Sequence, residues 1–189
     1  MTRDGLEELE NPAKLLLEGR LPDSHGSAIC MVRDGVRQFP VEMQALLSKT
    51  NFGTPRRTTH GMDMSRLHLL LAVIGKFTPL SCDQFDAYIN TIGGLKVKDH
   101  GSDLAVIGAV LSSRLEMPIP EGVILMGEVG LSGEVRQVSS VSERVSEAAR
   151  LGFTSAIIPK SSAKISVPKR FMVTEISRVQ EILPQVFGQ

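Results

Sequence analysis

Lys98–Ser113 reads KDHGSDLAVIGAVLSS. A short polar turn runs into an apolar stretch with helical spacing. Leu104, Ile107, Gly108, Leu111 and Leu115 fall on one face, and Ala105, Val106, Ala109 and Val110 make the other sides apolar too. A helix apolar nearly all round is a buried central helix. The domain is therefore built around residues 103–115. A serine at the mouth of such a helix, Ser102, raises the question of a nucleophile.

The flanking segments supply a sheet. SAICMVRDGVRQFPVEMQALLSK places β-formers on both sides of Asp34-Gly35, which predicts a hairpin. The 50–63 segment, TNFGTPRRTTHGMD, reads as a loop by its Gly, Pro, Thr and Asn content. Leu67, Leu70, Leu71 and Ile74 predict a helix ending near Gly75–Phe77. FDAYINTI (85–92) alternates as a half-buried strand, and GVILMGEVG (122–130) reads as one apolar strand. A turn at Ser132-Gly133 leads into a further strand. Ser140 and Glu143 have capping-box spacing, which predicts a helix that buries Val141, Val145, Ala148 and Ala149 and stops at Gly152. SAIIP and FMVTEI are strands. Val179, Ile182, Leu183, Val186 and Phe187 mark a terminal amphipathic helix. The expected class is α+β, a mixed sheet with helices packed over it.

Composition narrows the function. Lys plus Arg equals Asp plus Glu at 21 each in 189 residues, so any nucleic-acid contact has to be a local patch. Trp is absent and Tyr occurs once, which removes base stacking as a main mechanism. Cys30 and Cys82 form no C-x-x-C pair and read as reduced thiols of a cytoplasmic protein. No apolar run reaches the ~18 residues of a membrane span. The scattered histidines (25, 60, 68, 100) make no metal motif, and no cofactor is expected.

The order of these pieces resembles the proteolytic domain of the Lon family, on KDHGSDLAV, MGEVGLSGEVRQV and SERVSEAARLGFTSAIIP. It is closer still to the C-terminal domain of the RadA (Sms) family of bacterial DNA-repair proteins. GLEELENP (5–12), VEMQALLS (41–48), NFGTPRRTTHGMDMSRLHLLLAV (51–73) and GEVGLSGEVRQV (127–138) carry that likeness over essentially the whole chain. The resemblance implies a lead-in over 1–26 from an upstream ATPase domain and a Lon-like domain over 27–189. Met1 is then either a start or an internal residue, and Leu15–Leu17 a short packed turn.

Lon-type domains use a Ser–Lys dyad. An ungapped alignment anchored on Met117-Pro118 and Gly127-Glu128 puts Gly101 at the nucleophile position and Ser142 at the base position, so the resemblance implies a degenerate dyad. Ser102 is the fallback nucleophile, with Lys96 or Lys98 as its base; the plain alternative makes Ser102-Asp103 a helix cap. His100 is expected as an exposed loop residue. The implied role is a non-proteolytic scaffold that assembles as a homo-oligomer, a hexameric ring, in a DNA-dependent ATPase of recombinational repair that drives branch migration. An active peptidase and an oligomerisation module without DNA contact are the alternatives. Lys49, Arg56, Arg57 and His60, in an acid-free stretch, are the expected contacts to single-stranded DNA or to a neighbouring subunit. A second basic stretch, KSSAKISVPKR (160–170), reads as a solvated face or a further DNA contact.

Overall fold

The computed structural model describes residues 19–21, 23–51, 53–161 and 164–189. Most of the lead-in, including Met1 and the Leu15–Leu17 triplet, lies outside them.

The expected hairpin forms from β1 (Ser27–Asp34) and β2 (Arg37–Lys49), with Asp34 opposite Arg37. Its two turn residues are Gly35-Val36, one position beyond the dipeptide that signals it, and Gly35 takes φ +59°. A glycine first in a two-residue turn supplies the positive φ that matches strand twist. On the outer side of β2 lie β4 (Phe85–Thr91), antiparallel, and then β3 (Arg57–His60), parallel to β4. On the other side of β1 follow β5 (Val123–Leu125), β8 (Ser155–Pro159) and β9 (Met172–Ile176), all parallel. The sheet order is β3-β4-β2-β1-β5-β8-β9. The two antiparallel pairings of this sheet, β1–β2 and β2–β4, lie within it and parallel pairings flank them on both sides, so most pairings are parallel.

Helices cover both faces of the sheet. α1 (Met64–Phe77) and α2 (Asp103–Leu115) pack on the side of β1 that carries Ala28, Cys30 and Val32. α3 (Val141–Arg150) packs on the other, against Ile29, Met31, Ile124, Met126, Ala156 and Ile158. The clue is in β1 itself. Its first six residues are all buried, as in a strand covered on both sides.

Each helix has a local cause. Asp63 caps α1 by accepting the Arg66 N–H at 2.9 Å. α2 is buried at every position from Asp103 to Ser113, as its composition predicts. α3 starts without the expected capping box: Ser140 sits at φ +57° with no side-chain cap, and its Oγ accepts from Arg33 instead, at 2.9 Å. Its end follows the prediction. Gly152 takes φ +93°, its N–H donates to Ala149 O, and the Phe153 N–H donates to Ala148 O, both at 3.1 Å. Those two bonds are the Schellman pair that satisfies the last carbonyls.

Three further expectations change. The 50–63 loop contains β3, whose Thr58-Thr59 pair suits an edge strand although Gly and Pro precede it. The 122–130 strand breaks in two. After β5 the chain leaves the main sheet, and β6 (Glu128–Val129) pairs with β7 (Val135–Arg136) in a separate ribbon. The break is at Gly127, whose N–H donates to Gly101 O (2.9 Å) and whose carbonyl accepts from Leu104 (3.1 Å). An added Cβ there would lie 2.6 Å from Val135 Cγ1. The terminal helix is a 3₁₀ turn (Val179–Glu181) followed by a π turn (Leu183–Phe187). Pro184 has no N–H to extend an α-helical ladder. Val179, Ile182, Leu183 and Phe187 are nonetheless buried.

Burial pushes the Cys30 thiol up to about 12 and the Cys82 thiol up to about 11. Since the thiolate is the reactive form, neither cysteine should react with a disulfide reagent at neutral pH until denaturant is added. Rapid modification of the folded protein would contradict this burial.

Candidate functional site

The N-terminus of α2 opens on a cleft of about 400 Å³ between two walls. One wall is the end of β3 and the start of α1, with Gly61, Met62, Asp63 and Arg66. The other is the extended segment from Lys96 to Asp99, followed by the 3₁₀ turn His100–Ser102 and by Asp103. Gly61 ties the walls together: its carbonyl accepts the Val97 N–H at 2.7 Å.

The acids of the cleft are engaged from within the fold. Asp63 caps α1. The Asp103 carboxylate accepts from the Arg66 guanidinium and, at 3.0 Å, from the Val129 N–H. Burial pushes the Asp103 carboxyl above its ordinary value against the pull of Arg66. Asp99 accepts from the N–H groups of Arg33 (3.0 Å) and Gly101 (2.8 Å) and from Arg144 Nη1 (2.6 Å). Burial works against the Asp99 carboxylate, but these donors outweigh it and hold the carboxyl below the usual range.

Arg144 is the residue that sequence reading missed. It is 1% exposed, under the 98–102 turn. Besides Asp99 it donates to Met31 O at 2.6 Å and Ser139 O at 2.9 Å. Its local sequence, SERVSEAAR, gives no signal of that burial.

Position 101 is closed by this cluster. A Cβ on Gly101 would meet Asp99 Oδ1 at 2.9 Å, Arg144 Nη1 at 3.0 Å and Val138 Cγ1 at 3.2 Å. Gly101→Ser should therefore cost about 1–3 kcal/mol through overpacking, read as a lower chemical-denaturation midpoint; an unchanged midpoint would mean that the turn has room. Ser142 stands apart from the cleft, and its Oγ accepts the Ser166 N–H at 3.2 Å. Ser102 does line the cleft, together with Lys96 and Lys98. Its hydroxyl does not cap α2; it donates backwards to Asp99 O at 2.8 Å. Both lysines are exposed, whereas a lysine acting as base needs desolvation. His100 is exposed, 3.6 Å from Glu128.

The 48–61 cations divide. Lys49 pairs in register with Phe85, and Arg57 with Ala87, so Lys49, Arg56 and Arg57 share one end of the β2-β4-β3 layer. His60 lies at the other end, opposite Asn90, in a shallow groove with Gln44, Leu46 and Tyr88. The Arg57 guanidinium is held by the carbonyls of Phe85, Arg56 (3.1 Å) and Cys82 (3.0 Å). The Arg56 N–H donates to the buried Asp86 at 2.8 Å while its side chain is exposed. Arg114, from the last turn of α2, joins this end of the sheet 4.3 Å above the Phe85 ring. In the 160–170 segment, Lys160, Lys164, Lys169 and Arg170 are exposed. Among the described residues no group of His, Cys, Asp and Glu is placed to hold a metal, and no helix is long and apolar enough to cross a membrane.

These features define a mixed α/β domain: a largely parallel sheet with helices on both faces and a cleft at the N-terminus of its central helix. Over its entire length the chain matches DNA repair protein RadA, which fits a RadA C-terminal domain. It is 40% identical over 189 residues to that protein from Streptococcus pneumoniae, and 38% identical over 187 residues to the one from Pseudomonas aeruginosa. The chain spans 45% and 41% of those two relatives. A family model described as subunit ChlI of Mg-chelatase matches residues 89–162, from β4 to just past β8.

Proposed function

We propose that this chain is a non-proteolytic, Lon-type scaffold domain of a cytoplasmic RadA-type DNA-dependent ATPase acting in recombinational DNA repair. The likeness to RadA proteins over the whole chain supports the role in DNA repair. The observation that carries the non-proteolytic reading is the closed turn at Gly101, where the Asp99–Arg144 pair fills the space a nucleophile's side chain would need. In this reading the domain contributes subunit contacts to a ring and a phosphate-contacting surface at the Lys49, Arg56 and Arg114 end of the sheet.

Phosphate contacts position a strand without reading its bases and release counterions. A salt titration of single-stranded oligonucleotide binding tests the surface. Lys49→Ala/Arg56→Ala should weaken binding on all sequences alike and lower the slope of log affinity against log salt by roughly 1.4, at ~0.7 per contact. Unchanged affinity and slope would remove this surface. Arg57→Ala should act differently, lowering the melting temperature, because its guanidinium braces β3 against the 82–85 turn. Light scattering should find the chain above monomer mass at high concentration; a monomer throughout would place the ring contacts elsewhere.

A further inference from the structure

The cluster under α3 draws on β1, β5 and β8 and takes no residue from β2, β4 or β3. Among the described residues, then, no helix packs on the outer face of those three strands, while α1 and α2 fill the inner one. In register the open face presents two rows, Gln44 with Asn90 and His60, and Leu46 with Tyr88 and Thr58. Leu46 is 60% exposed and Tyr88 half-buried beside it. A sheet face with an apolar centre is stable when another layer covers it.

The chain reaches this face from its N-terminal side. Arg20 lies on it: its Nε donates to Ser27 Oγ at 3.2 Å. Ser27 Oγ and Gln44 Nε2 in turn donate to the buried Glu42 carboxylate, at 2.6 and 3.1 Å. Ser24, His25 and Gly26 then form one wall of the shallow groove that holds Leu46 and Tyr88. Residues 15–17 can therefore be no further than about 17 Å from Arg20. Leu46 is only about 7 Å along β2 from Gln44, at ~3.4 Å per residue.

Residues 1–18 supply what the face lacks. They hold Leu6, Leu9 and the run Leu15–Leu17, together with five acids and two cations. The groove lining has two histidines, His25 and His60, and no acid. We propose that the lead-in docks on the outer face of β2, β4 and β3, with Leu15–Leu17 resting on Leu46 and Tyr88 as the missing layer. The RadA likeness places this lead-in next to an ATPase domain, so the contact would fix the direction in which the two are joined; the contact itself does not depend on that reading. It also leaves the Lys49, Arg56 and Arg114 end of the sheet open.

The test uses the whole chain with one reporter thiol, Leu46→Cys, read by its rate of reaction with a disulfide reagent. Cys30 and Cys82 are buried and stay silent while the fold is intact. The reporter should react at least tenfold more slowly in the otherwise unchanged chain than in one that also carries Leu15→Glu/Leu16→Glu/Leu17→Glu. A second reporter, Val36→Cys, 88% exposed at the hairpin tip, should react at one rate in both. Leu46→Cys paired in turn with Leu15→Cys, Leu16→Cys and Leu17→Cys should close a disulfide within the monomer for at least one pair, and this decides alone if the glutamate variant exposes Cys30 or Cys82. Equal reporter rates with both native cysteines silent, or no intramolecular disulfide from any pair, would overturn the proposal. So would protection that is lost on dilution, or disulfides that only join two chains, since a second copy would then be the cover.

Discussion

Arg144→Ala should lower the stability of this domain by about 3–5 kcal/mol, the range for breaking a buried ion pair from one side. The guanidinium is almost fully buried, and its removal strands the Asp99 carboxylate and the carbonyls of Met31 and Ser139. At ~2–4 °C per kcal/mol for a chain of this size, the melting temperature should fall by roughly 6–20 °C. The effect also carries a pH signature. The Asp99 carboxyl is depressed in the fold, so its contribution is present above its unfolded value, near 3.9, and is lost as pH falls through the lower folded value. Asp103, raised by burial, works in the opposite sense in both proteins and cancels in the comparison. The gap in stability between wild type and Arg144→Ala should thus be constant near neutrality and narrow below about pH 4. Chemical denaturation across that range reads it directly. A loss under 1 kcal/mol, or a gap that does not narrow in acid, would show that the pair does not anchor the turn.

Ile107→Ala should cost about 2–5 kcal/mol, the usual range for emptying a fully buried isoleucine site. Ile107 is 0% exposed on a helix whose every side is covered, so no solvent-facing neighbour can swing in to fill the cavity. Alanine's better helix propensity returns only a few tenths of a kcal/mol. Leu131 is the control. It is 69% exposed at the tip of the β6–β7 ribbon, and its truncation should be within about 0.5 kcal/mol of neutral. Comparable losses at both positions would contradict the burial of α2.

The central helix, the β1–β2 hairpin and the end of α3 were legible because each is fixed by local chemistry: an apolar run, a positive-φ turn residue, a Gly152 cap. What was not legible is set by distant partners. The split of residues 122–130 follows from Gly127 crossing to the start of α2. The strand inside 50–63 exists because β4 offers it an edge. Ser140 spends its hydroxyl on Arg33, 107 positions away, so its capping-box spacing misleads. The site divides in the same way. Gly101 and Ser142 were singled out on resemblance, and Ser102 by its place on a turn before a helix; of the three, Ser102 lines the cleft. Nothing local in SERVSEAAR says that Arg144 turns inward; only the Asp99 carboxylate and two carbonyls beneath the 98–102 turn make that burial tolerable. Arg57 is expected with Arg56 as a DNA or subunit contact; its guanidinium is held by carbonyls of the 82–85 turn and of Arg56, which no local pattern announces.

The non-proteolytic reading rests on the closed turn at Gly101, and the chemistry of Ser102 beside it agrees. The Ser102 hydroxyl donates inward to Asp99 O, the adjacent position 101 is crowded by the side chains of Asp99, Arg144 and Val138, and the two lysines of the cleft are exposed. The most direct measurement is labelling of the folded chain by a fluorophosphonate, with casein turnover followed in parallel and Ser102→Ala as the reference. The account predicts that wild type labels no more than Ser102→Ala and leaves casein intact. Labelling of wild type that Ser102→Ala abolishes would contradict it.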